Sequence, residues 1–127
     1  MEDVLILSED GKTLLDVKDK SVREVVIPDG VEIIGHSAFR DCSLEGIIMP
    51  DTINSIKSDA FRSCISLCSI RFRHNNIEIE KAYVSDDAFE GVDFETCTLY
   101  IPSGTRWAYR HHPIFSKFKN IVTEIQK

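Results

Sequence analysis

The residues with the most chemical potential in this chain are its four cysteines and four histidines. Cys64-x-x-x-Cys68 followed by His74 loosely imitates zinc-ligand spacing, in which thiolate and imidazole donors converge on a tetrahedral ion. A simpler account is available. Cys42 and Cys64 lie 22 residues apart in matching sequence, and Val92 takes the same place in a third, looser copy. A position that accepts valine is used for size and apolarity, as buried free cysteine commonly is. Cys68 and Cys97 share a second column. Same-column residues of stacked coils lie ~5 Å apart, so Cys42–Cys64 and Cys68–Cys97 come within disulfide reach in an oxidising compartment. His36, His74 and the pair His111-His112 have no nucleophile with an orienting carboxylate beside them, as a triad requires, so surface or capping roles are expected. Asp86, Asp87 and Glu90 lack EF-hand spacing and read as helix-start residues. No glycine-rich phosphate loop or dinucleotide fingerprint is present. The sequence therefore assigns no catalytic residue, no metal ligand and no cofactor, and it reads as a non-enzyme.

What positions these side chains is an internal repeat. Val25-Val26-Ile27-Pro28-Asp29-Gly30-Val31 is echoed by Ile47-Ile48-Met49-Pro50-Asp51-Thr52-Ile53, and Ala38-Phe39-Arg40-Asp41-Cys42 by Ala60-Phe61-Arg62-Ser63-Cys64. Pro28 to Pro50, Phe39 to Phe61 and Cys42 to Cys64 share one spacing of 22 residues. A third copy runs from Leu67 to Val92, with five extra residues inside Arg73–Lys81 and Lys81 where an apolar residue is expected. A fourth strand follows at Leu99-Tyr100-Ile101-Pro102.

Each copy has a physical reading. Val22, Val25 and Ile27, then Leu44, Ile47 and Met49, then Leu67, Ile70 and Phe72 turn inward from short strands. Proline closes the first, second and fourth strands because it cannot donate to a ladder. Ser37, Asp59 and Asp87 precede Ala-Phe as expected caps of a short helical turn. Phe39, Phe61 and Phe89 should stack as a spine. One copy cannot bury its apolar face alone, so neighbours must stack and the ends need caps. Residues 1–21 supply an N-terminal hairpin cap around Asp10-Gly11, residues 22–97 the repeats, and residues 98–127 the last strand and a C-terminal cap of a short helix and the strand Asn120–Ile125. The fold expected is a single α/β domain, a short right-handed β-rich solenoid of about three repeats of 22–28 residues.

Bulk composition narrows the partners. Twenty-one acidic against 15 basic residues give a formal charge of -6, which argues against general nucleic-acid binding. Arg106, Arg110, Lys117 and Lys119 form a small basic group expected to be solvated surface. No apolar run approaches membrane-spanning length, so membrane insertion is not expected. Met1–Leu7 lacks the pattern of a signal peptide.

With these landmarks in order, the chain resembles the BspA-type leucine-rich repeat family. The matching residues are Val25-x-Ile27-Pro28-x-x-Val31-x-x-Ile34-Gly35-x-x-Ala38-Phe39-x-x-Cys42-x-Leu44, with a second pass from Ile47 to Leu67 and a similar ending through Ala108-Tyr109 and Phe118-Lys119-Asn120-Ile121. The resemblance implies a leucine-rich-repeat solenoid, a cell-surface or secreted location, adhesin-like recognition, and no catalytic residues to carry over. The absent leader pattern keeps a cytoplasmic location open.

The strand alignment points to one face. Val26, Ile48, Arg71 and Tyr100 should project outward, with Glu24, Gly46, Ser69 and Thr98 beside them. Small polar residues with an arginine and a tyrosine have the make-up of a contact surface for a protein or glycan, although β-propensity alone also favours Val, Ile and Tyr there. The segment Arg73–Lys81 is a second expected contact region, and self-association through the exposed sheet is a third use of the face. The function expected is a non-catalytic binding module, or alternatively an intracellular scaffold or assembly subunit.

Overall fold

The computed structural model describes residues 4–73 and 79–124. The chain winds as a β-solenoid of about five turns with little helix. Among the described residues, ten short strands form two five-stranded sheets. The first sheet is β1 (Leu5–Leu7), β2 (Thr13–Val17), β4 (Ile33–Ile34), β6 (Ser55–Ile56) and β8 (Tyr83–Val84), in that spatial order. The second is β3 (Glu24–Val26), β5 (Gly46–Met49), β7 (Ser69–Phe72), β9 (Thr98–Pro102) and β10 (Asn120–Glu124). All pairings are parallel except β1 with β2.

Registry follows the repeat. Val25, Ile47, Ile70 and Leu99 are cross-strand neighbours, and all are buried. Ile34, Ile56 and Val84 form the matching buried column on the first sheet. Side chains alternate in and out along each strand, so one apolar residue in two lines the core. Phe39, Phe61 and Phe89 stack as the sequence predicts, at centroid separations of 5.2 and 5.1 Å with nearly parallel rings.

The third side of each coil departs from expectation. The Ala-Phe segments are turns, not helices, and Ser37 and Asp59 do not cap anything. They adopt φ of 56° and 60°, and Asp41 and Ser63 follow at 63° and 62°. The reason lies in the hydrogen bonds. Ser37, Phe39 and Asp41 donate their N–H groups to the carbonyls of Ser58, Ala60 and Arg62 in the next coil, while Ala38, Arg40 and Cys42 donate back within their own coil. Alternate residues must therefore face alternate ways, which a right-handed helix does not allow. Serine and aspartate tolerate the left-handed region better than most side chains. The third copy uses Gly91, at φ 93°, where the first two use Asp41 and Ser63. Asp87 is not left-handed; its carboxylate accepts from the Asp59 N–H and the Ser58 and Ser85 hydroxyls. Those hydrogen bonds hold the Asp87 carboxyl below its ordinary pKa, Ser85 contributing most.

The lengthened third coil keeps its core by a local detour. Lys81 is exposed as its charge demands, and Ile79, in a 3-10 turn over Ile79–Lys81, fills the interior instead. His74 to Glu78, most of the expected second contact region, lie outside the described residues.

The ends are more than lids. β1 and β2 form the expected hairpin, with Gly11 at φ 75° in its turn, but β2 also joins the first sheet beside β4. The helix α1 (Arg106–Arg110) and β10 form the expected C-terminal cap, but β10 also extends the second sheet beside β9. The count of three repeats rests on the Ala-Phe landmark, which these terminal turns lack. The cap core is aromatic: Phe89 meets Phe118 edge-on at 5.4 Å, and Phe72 packs on Tyr109 and Phe115. The buried Tyr109 hydroxyl has no hydrogen-bond partner among the described residues.

Candidate functional site

The outer face of the second sheet carries two parallel rows. Register sets Glu24, Gly46, Ser69, Thr98 and Asn120 side by side, and next to them Val26, Ile48, Arg71, Tyr100 and Val122. The eight residues expected on this face are thus adjacent, and β10 adds Asn120, Val122 and Glu124. Sequence reading missed these three because it assigned Asn120–Ile125 to a cap. The alternation around buried Ile121 was the available signal.

Size differs between the rows. Gly46 is buried because the Glu24 side chain lies over it; a Cβ there would stand 2.6 Å from the Glu24 carboxylate and 3.0 Å from the Ser69 hydroxyl. The second row is a ridge, with Val26 39% and Val122 42% exposed at its two ends.

Arg71 stands at the centre of the ridge, and it is not free. Its guanidinium lies 4.4 Å from the centroid of the Tyr100 ring. Nε and Nη2 donate to the two Glu124 carboxylate oxygens at 3.0 and 3.2 Å. The fork reaches across β9 to β10. The Glu124 hydrogen bonds raise the already high pKa of Arg71. Both partners are over a third exposed, so solvent screens the pair and its contribution to stability is at most about 1 kcal/mol. Its effect is positional: a long, mobile side chain is fixed in one orientation. Just beyond, Arg73 Nη2 donates to Asp29 at 2.7 Å.

The other sequence candidates are dispersed. Cys42, Cys64 and Cys97 are buried, Cys68 is exposed, and all four are free thiols. Cys64 donates to the Phe39 carbonyl at 3.0 Å, and burial pushes its pKa and that of Cys97 up to about 12. No cluster of three or more metal-ligating side chains occurs among the described residues. His36 and His111 are exposed, and His112 is buried in a capping role. Of the basic group, Arg106 donates to the Ile121 carbonyl and Lys117 lies near the Phe94 ring. No helix among the described residues is long and apolar enough to cross a membrane.

A family model described as the BspA type leucine rich repeat region matches residues 17–105, in six copies. The chain belongs to the BspA-type leucine-rich repeat family. As a family member it is a repeat module of a class that serves protein binding or surface recognition and is generally non-catalytic. A leucine rich cell surface protein from Faecalibacterium prausnitzii A2-165 has a solved structure similar to this chain, with a TM-score of 0.48 and 18% identity. The match covers 94% of this BspA-type chain and 40% of that protein, so the chain spans two fifths of its length. No curated protein matches the chain.

Proposed function

We propose that this BspA-type module recognises a protein partner through the outer face of its second sheet, without catalysis. The observation that carries the reading is the ridge of Val26, Ile48, Arg71 on Tyr100, and Val122, whose arginine is fixed by Glu124. Arginine and tyrosine dominate contact energetics when they are held in place, because little rotamer freedom remains to be lost on binding. The apolar members favour a protein over a glycan. A sugar needs an open aromatic face, and the Arg71 guanidinium covers one face of Tyr100. An adhesin-like role at the cell surface fits the family, and an intracellular scaffold would use the same ridge.

One experiment tests the face and separates the two settings. Protein carrying a photo-crosslinker at position 122 is offered to intact source cells and, separately, to their soluble extract. Wild type should crosslink a protein that the Arg71→Glu/Tyr100→Ala double variant loses, while circular dichroism stays unchanged. Val26→Lys, at the far end of the ridge, should lose the same species and guards against a folding defect in the double variant. Equal capture by all three proteins would remove the face from consideration. Capture on intact cells supports the adhesin-like setting, and capture in the extract alone supports the scaffold.

A further inference from the structure

His112 is buried, being only 1% exposed. Its Nδ1 faces the backbone N–H groups of Ile114 and Phe115 at 3.0 and 3.2 Å. Two donors converge there, so Nδ1 must be an unprotonated acceptor. The ring proton then sits on Nε2 and is donated to the Ala82 carbonyl at 2.8 Å. The Phe115 ring packs against the imidazole at 4.6 Å.

The Ala82 carbonyl explains why this matters. Tyr83 and Ser85 donate toward β6, to Asn54 and Ile56, so the alternate groups of the strand face the opposite way, beyond the last strand of the first sheet. A further coil would have met them with its own N–H groups. His112 supplies that donor in place of the missing coil. One residue thus starts the turn at Ile114–Phe115 and closes the edge of β8.

We propose that His112 is an acid-operated latch, whose protonation breaks its two Nδ1 bonds and opens the turn at Ile114–Phe115 that seats the C-terminal cap against β8. A proton on Nδ1 would point at two N–H groups, so the closed cap does not accommodate the imidazolium. Among the described residues, the charged and titratable groups on the surrounding elements are Glu80 and Lys81 on the 3-10 turn, Tyr83 on β8, Arg106, Tyr109 and Arg110 on α1 with His111 at its end, and Lys117 on the 3-10 turn Phe115–Lys117. None of them drives the His112 equilibrium. Burial pushes its pKa below the ordinary histidine value, and the Ala82 carbonyl opposes this in part. The sign follows: the closed form holds the neutral ring, so its stability is present above the unfolded pKa and falls as pH drops below about 6.5.

Amide hydrogen exchange on the full chain tests the latch. After correction for intrinsic rates, exchange at Ile114 and Phe115 should rise about tenfold from pH 7.5 to 5.5, as expected for one proton taken up by an open form with an ordinary pKa near 6.5. Amides of Ile47 and Ile70, in the central strands, should not follow. In His112→Asn the side-chain oxygen stands where Nδ1 stands and accepts the same two N–H groups without titrating, so the rise should vanish. A flat profile in wild type, an equal rise in His112→Asn, or a parallel rise at Ile47 and Ile70 would each overturn the proposal. If His112→Asn does not fold, ring NMR decides: His112 should keep the Nε2–H form at about pH 6, below the ordinary histidine value, and protonation at that ordinary value would refute the latch.

Discussion

The phenylalanine spine allows a quantitative prediction, because the three rings have different numbers of aromatic neighbours. Among the described residues, Phe39 has one aromatic neighbour, Phe61; Phe61 has Phe39 and Phe89; Phe89 has Phe61, Phe94, Phe115 and Phe118. All three are essentially fully buried. Replacement by leucine keeps an apolar side chain and removes the ring pairs. The imperfect fill costs about 1 kcal/mol, and each lost pair about 0.5–1.5 kcal/mol more. Phe39→Leu should then cost about 1.5–2.5 kcal/mol, Phe61→Leu about 2–4 kcal/mol, and Phe89→Leu the most. Urea unfolding followed by circular dichroism gives these values for each single and double variant. A cycle on Phe39 and Phe61 should return a coupling of about 1 kcal/mol, and one on Phe39 and Phe89, which do not touch, close to zero. Equal costs at Phe39 and Phe61, or a zero coupling between them, would refute the claim that the rings act as stacked neighbours.

Two further outcomes follow from the backbone and the thiols. At pH 8 an alkylating reagent should label Cys68 quickly, and the other three only after unfolding, because burial lifts their pKa values; four labelled thiols in denaturant and one under native conditions is the expected count. Ser63→Gly should stabilise by about 0.5–1 kcal/mol by relieving a left-handed residue, whereas Gly91→Ala should destabilise by more than about 1 kcal/mol, its Cβ lying 3.1 Å from the Ser63 nitrogen; thermal melts of the two variants should shift in opposite directions.

How much was legible in the sequence depended on the length of each signal. Most of the second sheet was readable because each of the first three copies carries three inward apolar residues at fixed offsets, repeated in register after 22 and then 23 residues. The first sheet was not read as a sheet. Its repeat strands are two residues long, and Ser55-Ile56 or Tyr83-Val84 shows one apolar residue with no period to detect. The third side was misread as helix because serine and aspartate suit both a helix cap and a left-handed turn, and only bonding to the next coil decides between them. The contact face was found by alternation, but its central feature was not. Arg71 and Glu124 are 53 residues apart, and no local pattern links them. His112 was hidden in the same way, since its partner Ala82 lies 30 residues upstream.

The side-chain plugs at one end bear on how such a chain can lengthen. Between Pro28 and Pro50 each coil offers its successor the same backbone groups that it receives from its predecessor. Duplicating those 22 residues would insert a coil without orphaning a single ladder bond. Beyond β8 or β10 the same event meets His112 on the Ala82 carbonyl and Arg106 on the Ile121 carbonyl, and a new strand would have to evict both. Variation in length is thereby steered to the middle of the array. There, each added coil would widen the ridge by one strand, about 4.8 Å, and leave the plugged end as it is.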